Sequence, residues 1–240
     1  MRFVRLCLAL LAVPLLATAA PAQQTRPAPK AAPKAALTRD WRTHVVQTQS
    51  GAILTGNPAA KVRLVEYLSY TCPHCAHFVA ESKAPLYDDL VRRGEVRIEF
   101  RHAVRDPLDM AAALLARCTG PQGFGGASQA IFAAQADWFE QGRQWWQANA
   151  PRIQSQPELA RLKAAASGSG LTALMAKRGM SAAAVDKCFA APGDLNKVTA
   201  MTKAAWSTIQ GTPSFTVNGK AGGGSEWASL QPELRAAGAR

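Results

Sequence analysis

Residues 70–78 read YTCPHCAHF, placing two cysteines, two histidines and a proline in nine positions. Three chemistries use such a cluster: covalent haem attachment, a structural zinc site and a thiol–disulfide couple. Haem attachment requires a histidine directly after the second cysteine, where this chain has Ala76. A structural zinc site is built from two ligand pairs. Cys72 and Cys75 form one, His77 adds a third ligand at most, and no second pair follows at comparable spacing. The thiol–disulfide reading fits the flanks. Tyr70 closes a predicted strand, and Pro73 suits the first position of a helix, where its missing N–H is not needed. Cys72 then stands at the N-cap, exposed and beside unpaired backbone N–H groups. Cys75 lies one turn inside, on the face shared by Phe78, Val79, Leu86 and Leu90. This spacing makes Cys72 the accessible nucleophile and Cys75 the shielded resolving thiol.

On the N-terminal side, KVRLVEYLSY (61–70) alternates, with Val62, Leu64, Glu66 and Leu68 on one face, so Glu66 is an acid among apolar neighbours. On the C-terminal side, a helical pattern runs to about Arg93, Gly94 stops it, and EVRIEFRHAV (95–104) alternates again. Strand, helix and strand in this order predict a parallel pair joined by a right-handed crossover. Upstream, THVVQTQSGAIL (43–54) reads as two short strands around a Ser-Gly turn.

From Asp106-Pro107 to about Ile209 the periodicity is helical. Asp106 is the predicted cap of the first helix, in which Met110, Leu114 and Cys118 share a face. Further helices are predicted around 127–140, 157–166, 171–178, 181–190 and 194–209, with Ser181 and Asp194 as caps. The glycine cluster 123–126 and SGSG at 167–170 are the predicted separators. PSFTVNGK (213–220) restores a strand and a hairpin signal, and a last helix is predicted over 225–237. An α/β unit is therefore interrupted by roughly 85 helical residues.

Residues 1–22 carry Arg2 and Arg5, an apolar run and a small-residue site at Ala20-Pro21-Ala22, the pattern of a secretory signal peptide. Residues 23–42, rich in Pro, Ala and Lys, read as a solvated linker. Loss of the signal removes Cys7 and lowers the formal net charge from +12 to about +10. The basic residues are scattered and lack interleaved aromatics, which argues against a nucleic-acid partner. Cys72, Cys75, Cys118 and Cys188 remain, and four cysteines allow three pairings.

CPHC after EYLSYT, the inserted helical block and GTPSFTVNGK together resemble the DsbA-like thiol:disulfide oxidoreductases of the thioredoxin superfamily, over about residues 43–238. The resemblance implies a thioredoxin fold in two parts, 43–106 and 193–240, around an inserted α-helical domain, 107–192. It implies a cis bond before Pro213, with Thr212 and Pro213 lying against the cysteines as a substrate-binding loop. His74, in the third position of the tetrapeptide, is implied as a thiolate-stabilising residue of the oxidising branch, and Glu66 as a proton acceptor for Cys75. The implied function is that of a periplasmic or otherwise exported monomer that passes the Cys72–Cys75 disulfide to reduced, unfolded secreted proteins. Reoxidation falls to a quinone-linked membrane thiol oxidase, with no metal and no cofactor. Thr212 is commoner among isomerases, so a reductase or isomerase is the alternative enzyme and a peptide-binding holdase the non-enzymatic one.

The other two cysteines are predicted to form a structural disulfide. Cys118 shares a helix face with Met110 and Leu114, and Cys188 stands beside Phe189, three positions after Val185, so both are expected to point into the helical block. His44, His77 and His102 are expected to be structural, and Trp138, Trp145 and Trp146 to pack in the helical domain.

Overall fold

In the computed structural model, which describes residues 39–240, a six-stranded sheet carries the chain's first half and its return. Its strands are β1 (Val45–Gln47), β2 (Ile53–Thr55), β3 (Val62–Leu68), β4 (Val96–His102), β5 (Ser214–Val217) and β6 (Lys220–Ala221), in spatial order β1-β2-β4-β3-β5-β6. β3 and β4 pair in parallel, with Glu66 opposite Phe100, and every other pairing is antiparallel. The predicted signal peptide, Cys7 and the linker up to residue 38 lie outside the described residues.

The β3–β4 crossover begins with α1 (Pro73–Ser82) and continues as a π-helical stretch, Lys83–Val91. Pro85 supplies the reason: it has no N–H, and its ring displaces the carbonyl one turn back, which widens the helix. Gly94 ends the segment at φ +81°, and a side chain there would come within 2.5 Å of Trp41. Trp41 belongs to a short 3-10 turn, Trp41–Thr43, and Arg42 pairs with both Asp40 and Asp88. The linker expected to reach residue 42 is thus part of the folded unit from Asp40 onward, because these charges and Trp41 anchor it.

Between β4 and β5 come α2 (Pro107–Cys118), α3 (Gly120–Ala133), α4 (Gln135–Ile153), α5 (Glu158–Gly168), α6 (Leu171–Lys177), α7 (Ala182–Cys188) and α8 (Gly193–Trp206); α9 (Trp227–Ala236) follows β6. Asp106 and Ser181 cap α2 and α7 through their side chains, accepting from the backbone N–H groups of Asp109 and Ala184. Asp194 does not cap. It lies inside α8 and binds the buried Arg117 at 2.7 Å, while Arg117 also donates to the Gly51 carbonyl, joining α2, α8 and the β1–β2 turn. Nor do Gly123, Gly125 and Gly126 separate helices: all three lie within α3, where side chains would crowd Thr119, Tyr87 and Arg178. Close packing here overrides the weak helix propensity of glycine.

β3 also stops at Leu68, two residues before the predicted end, because the backbone N–H of Tyr70 turns away to Asp109. Tyr70 instead packs with Phe100, His102 and Phe132 in a buried aromatic cluster. Trp138 is buried in the helical layer, and Trp145 and Trp146 pack at its margin.

Candidate active site

Cys72 has the extended backbone of an N-cap, φ −89° and ψ 117°, and Pro73 opens α1. The expected exposure is not found: Cys72 is 3% exposed, with its thiol donating to the Thr212 carbonyl oxygen at 3.1 Å. The Thr212–Pro213 bond is cis. Cys75 is wholly buried, and its sulfur accepts from the Ser69 N–H at 3.5 Å. The two sulfurs stand as free thiols in this structure.

Their acidities diverge. A hydrogen bond from the Cys75 thiol, opposed by burial, then bonds from the Thr212 side chain and from the backbone N–H groups of Cys75 and His74, push the Cys72 thiol down from 9.0 to about 5. Burial first, and the neighbouring Cys72 second, push Cys75 up. One thiol is therefore built to ionise and its neighbour to stay protonated.

His74 is exposed, and among the described residues its ring takes part in no hydrogen bond or ion pair. Its backbone N–H is what acts on the Cys72 sulfur. Glu66 is 6% exposed and lines a cavity of about 80 Å³ with Phe78, Ser82 and Phe100; burial pushes its carboxyl up to about 8. No hydrogen bond joins Glu66 to Cys75 among the described residues, but the cavity has room for water beside the carboxyl.

A second set of contacts comes from the inserted helices. Asp109, 1% exposed, accepts from the Ser69 hydroxyl at 2.6 Å, the Tyr70 N–H at 2.8 Å and the Arg105 N–H at 3.0 Å. Asp106, besides capping α2, accepts from the Thr71 hydroxyl at 2.6 Å. The amide of Gln135 donates to the carbonyl oxygens of Tyr70 and Cys72 at 2.7 and 2.8 Å. Asp109 is the one polar residue in PLDMAAALLA (107–116), a position that could have signalled a buried partner. Gln135 offers no such cue.

Away from this site, Cys118 and Cys188 are joined by a disulfide, S–S 2.06 Å, between the ends of α2 and α7. Cys188 is buried, but Cys118 is exposed and does not point into the helical block as expected, because the bond closes at the outer edge where the two helix ends meet.

Residues 48–233 match the Thioredoxin family. Among solved structures, a protein-disulfide isomerase from Novosphingobium aromaticivorans is 39% identical, with a TM-score of 0.71, covering 76% of this chain and 95% of that one. The α-DsbA1 of Wolbachia pipientis has the same fold at 21% identity and a TM-score of 0.57, covering 80% of this chain and 92% of that one. Curated sequences from Rickettsia prowazekii and Rickettsia bellii, named as protein-disulfide oxidoreductases, are 34% and 32% identical over 68 residues. Those matches take in 28% of this chain and about a quarter of each relative's length.

Proposed function

The chain belongs to the thioredoxin family, and from that premise we propose that it is an exported thiol:disulfide oxidoreductase that donates the Cys72–Cys75 disulfide to reduced secreted proteins. The observation that carries this reading is the inequality of the two sulfurs beside the cis-proline loop. A substrate thiolate attacks the Cys72 sulfur, the Cys72–Cys75 bond breaks, and Cys75 leaves with the electron pair and takes up a proton. A second substrate thiolate then attacks the substrate's own sulfur in the mixed disulfide, and Cys72 departs as a thiolate. The substrate has lost two electrons and the protein holds them as a dithiol, which a quinone-linked membrane thiol oxidase is proposed to reoxidise.

Acidity sets the direction. The less basic thiolate is the better leaving group, so the mixed disulfide resolves by expelling Cys72. At pH 7 a thiol with pKa near 5 is stabilised by about 3 kcal/mol relative to one near 9, or about 60 mV for two electrons. Raising the pKa of Cys75 has almost no effect at this pH, since that thiol is protonated either way. Thr212 and Pro213 form the proposed docking loop for the substrate strand, Glu66 is the proposed acceptor of the Cys75 proton when the dithiol is reoxidised, and Pro73 opens α1 so that the His74 N–H faces Cys72.

A second reading, isomerase, is favoured by Thr212 and by the description of the Novosphingobium protein. The deciding experiment compares oxidation of a reduced two-cysteine substrate with repair of a scrambled one. Fast oxidation with slow repair is expected; efficient repair without net oxidation would install the isomerase instead. A holdase would turn over neither substrate with an added oxidant. Among the described residues no helix is long and apolar enough to cross a membrane.

A further inference from the structure

We propose that Gln135, carried by the inserted helices, is a positioning residue for the redox couple: its side-chain amide fixes the Cys72 carbonyl and so holds the Cys72 sulfur against the amide groups of α1. This rests on the reading of Cys72–Cys75 as the redox centre. Gln135 stands in the first turn of α4, just after the break at Ala134 between α3 and α4, and is 6% exposed. Both of its contacts are carbonyl oxygens, so the NH₂ end must face them and the assignment of nitrogen and oxygen has one solution. One amide therefore bridges Tyr70 and Cys72, with Thr71 between them.

The Cys72 carbonyl also accepts from the N–H groups of Cys75 at 3.1 Å and Ala76 at 3.2 Å, the first bonds of α1. Holding that oxygen fixes how the N-cap residue is rotated. The same rotation decides whether the Cys72 sulfur faces the His74 and Cys75 N–H groups. Asp109 holds the neighbouring Ser69–Tyr70 segment from α2, so the two ends of the Ser69–Cys72 loop are gripped by separate helices of the insertion. Among the described residues neither side chain of the pair hydrogen-bonds a sulfur. Their effect travels through the backbone, and the helical insertion thereby becomes part of the redox site.

The test is a titration of the Cys72 thiolate by ultraviolet absorbance, together with the equilibrium against glutathione, in Gln135→Met. Methionine keeps the length and volume and removes both donors. The expected result is a titration midpoint higher by about one unit and a roughly tenfold shift of the glutathione equilibrium toward the disulfide, equivalent to about 30 mV. Gln141→Met on the same helix, which removes an amide bond to the Gly168 carbonyl, is the matched control and should move neither. A folded Gln135→Met with native midpoint and equilibrium would overturn the proposal and leave a loop clamp with no redox role. If Gln135→Met does not fold, Gln135→Asn, whose amide falls short of both carbonyls, is read by the same criteria. The thiolate titration needs no substrate, so failure of the oxidase reading, seen as no dithiol oxidation by the native protein, is a separate outcome.

Discussion

The thiol of Cys72 donates to the carbonyl oxygen of Thr212 at 3.1 Å, across 140 positions of sequence. This contact brings the start of α1 against the loop before β5 and puts the Cys72 sulfur beside the cis Thr212–Pro213 bond. A separate bond, from the Thr212 side chain, is among those that favour the Cys72 thiolate, behind the bond from Cys75 itself.

The ranking of those groups predicts a series of titrations. Cys75→Ala removes the leading donor and should raise the Cys72 midpoint from about 5 by more than one unit. Cys75→Ser leaves a hydroxyl that can donate in its place and should stay close to native. Thr212→Val should produce a smaller rise than Cys75→Ala. A midpoint unchanged in Cys75→Ala would show that the amides of α1 suffice alone.

Linkage gives the stability of the reduced protein a defined pH dependence. The Cys72 pKa is depressed on folding, so its contribution is fully present above 9.0 and disappears as pH falls through about 5. The oxidised protein has no such titration. The reduced form should therefore gain on the oxidised form by about 1.4 kcal/mol per pH unit between pH 5 and pH 9. Urea unfolding of both forms across this range checks the slope, and a flat difference would contradict a low-pKa thiolate.

Glu66 carries the opposite sign. Its pKa is raised on folding, from 4.5 to about 8, so the benefit of burying it is complete below 4.5 and is lost as pH rises through 8. Glu66→Gln should be more stable than the native protein at pH 8.5, by at most about 5 kcal/mol, and similar to it at pH 4.5. If Glu66 also accepts the Cys75 proton, reoxidation, in which Cys75 attacks Cys72 in the mixed disulfide with the oxidant, should slow in the variant and lose its pH dependence between 5 and 8. Unchanged exchange kinetics would leave a buried acid with no part in the proton transfer.

The Cys118–Cys188 bond spans a sequence separation of 70. Chain entropy sets a ceiling of about 4 kcal/mol for its contribution. Replacing both residues by alanine should lower unfolding stability by about 2–4 kcal/mol and leave the glutathione equilibrium of Cys72–Cys75 unaltered. A shift in that equilibrium would mean that the outer edge of the helical layer communicates with the redox centre.

Much of this protein is local chemistry and was legible in the residues. Alternation of period two in 61–70 and 95–104 determined β3 and β4, Pro73 after Cys72 determined where α1 begins, and Asp106 and Ser181 announced their helices because a capping bond reaches only three residues. What only the tertiary structure decided involves partners far apart in the chain. Asp194 looks like a cap until Arg117 claims it; Gly123–Gly126 look like a breaker until α3 packs closely on its neighbours; Cys72 looks exposed until the Thr212 loop closes over it. Gln135 is the extreme case. Nothing within reach along the sequence marks it, since both its partners, Tyr70 and Cys72, lie more than 60 positions away and present only backbone carbonyls, which every residue has. Local hydrogen bonds and periodicity leave a trace in residue type, whereas a buried polar contact to a distant backbone is specified by where folding brings the two segments together.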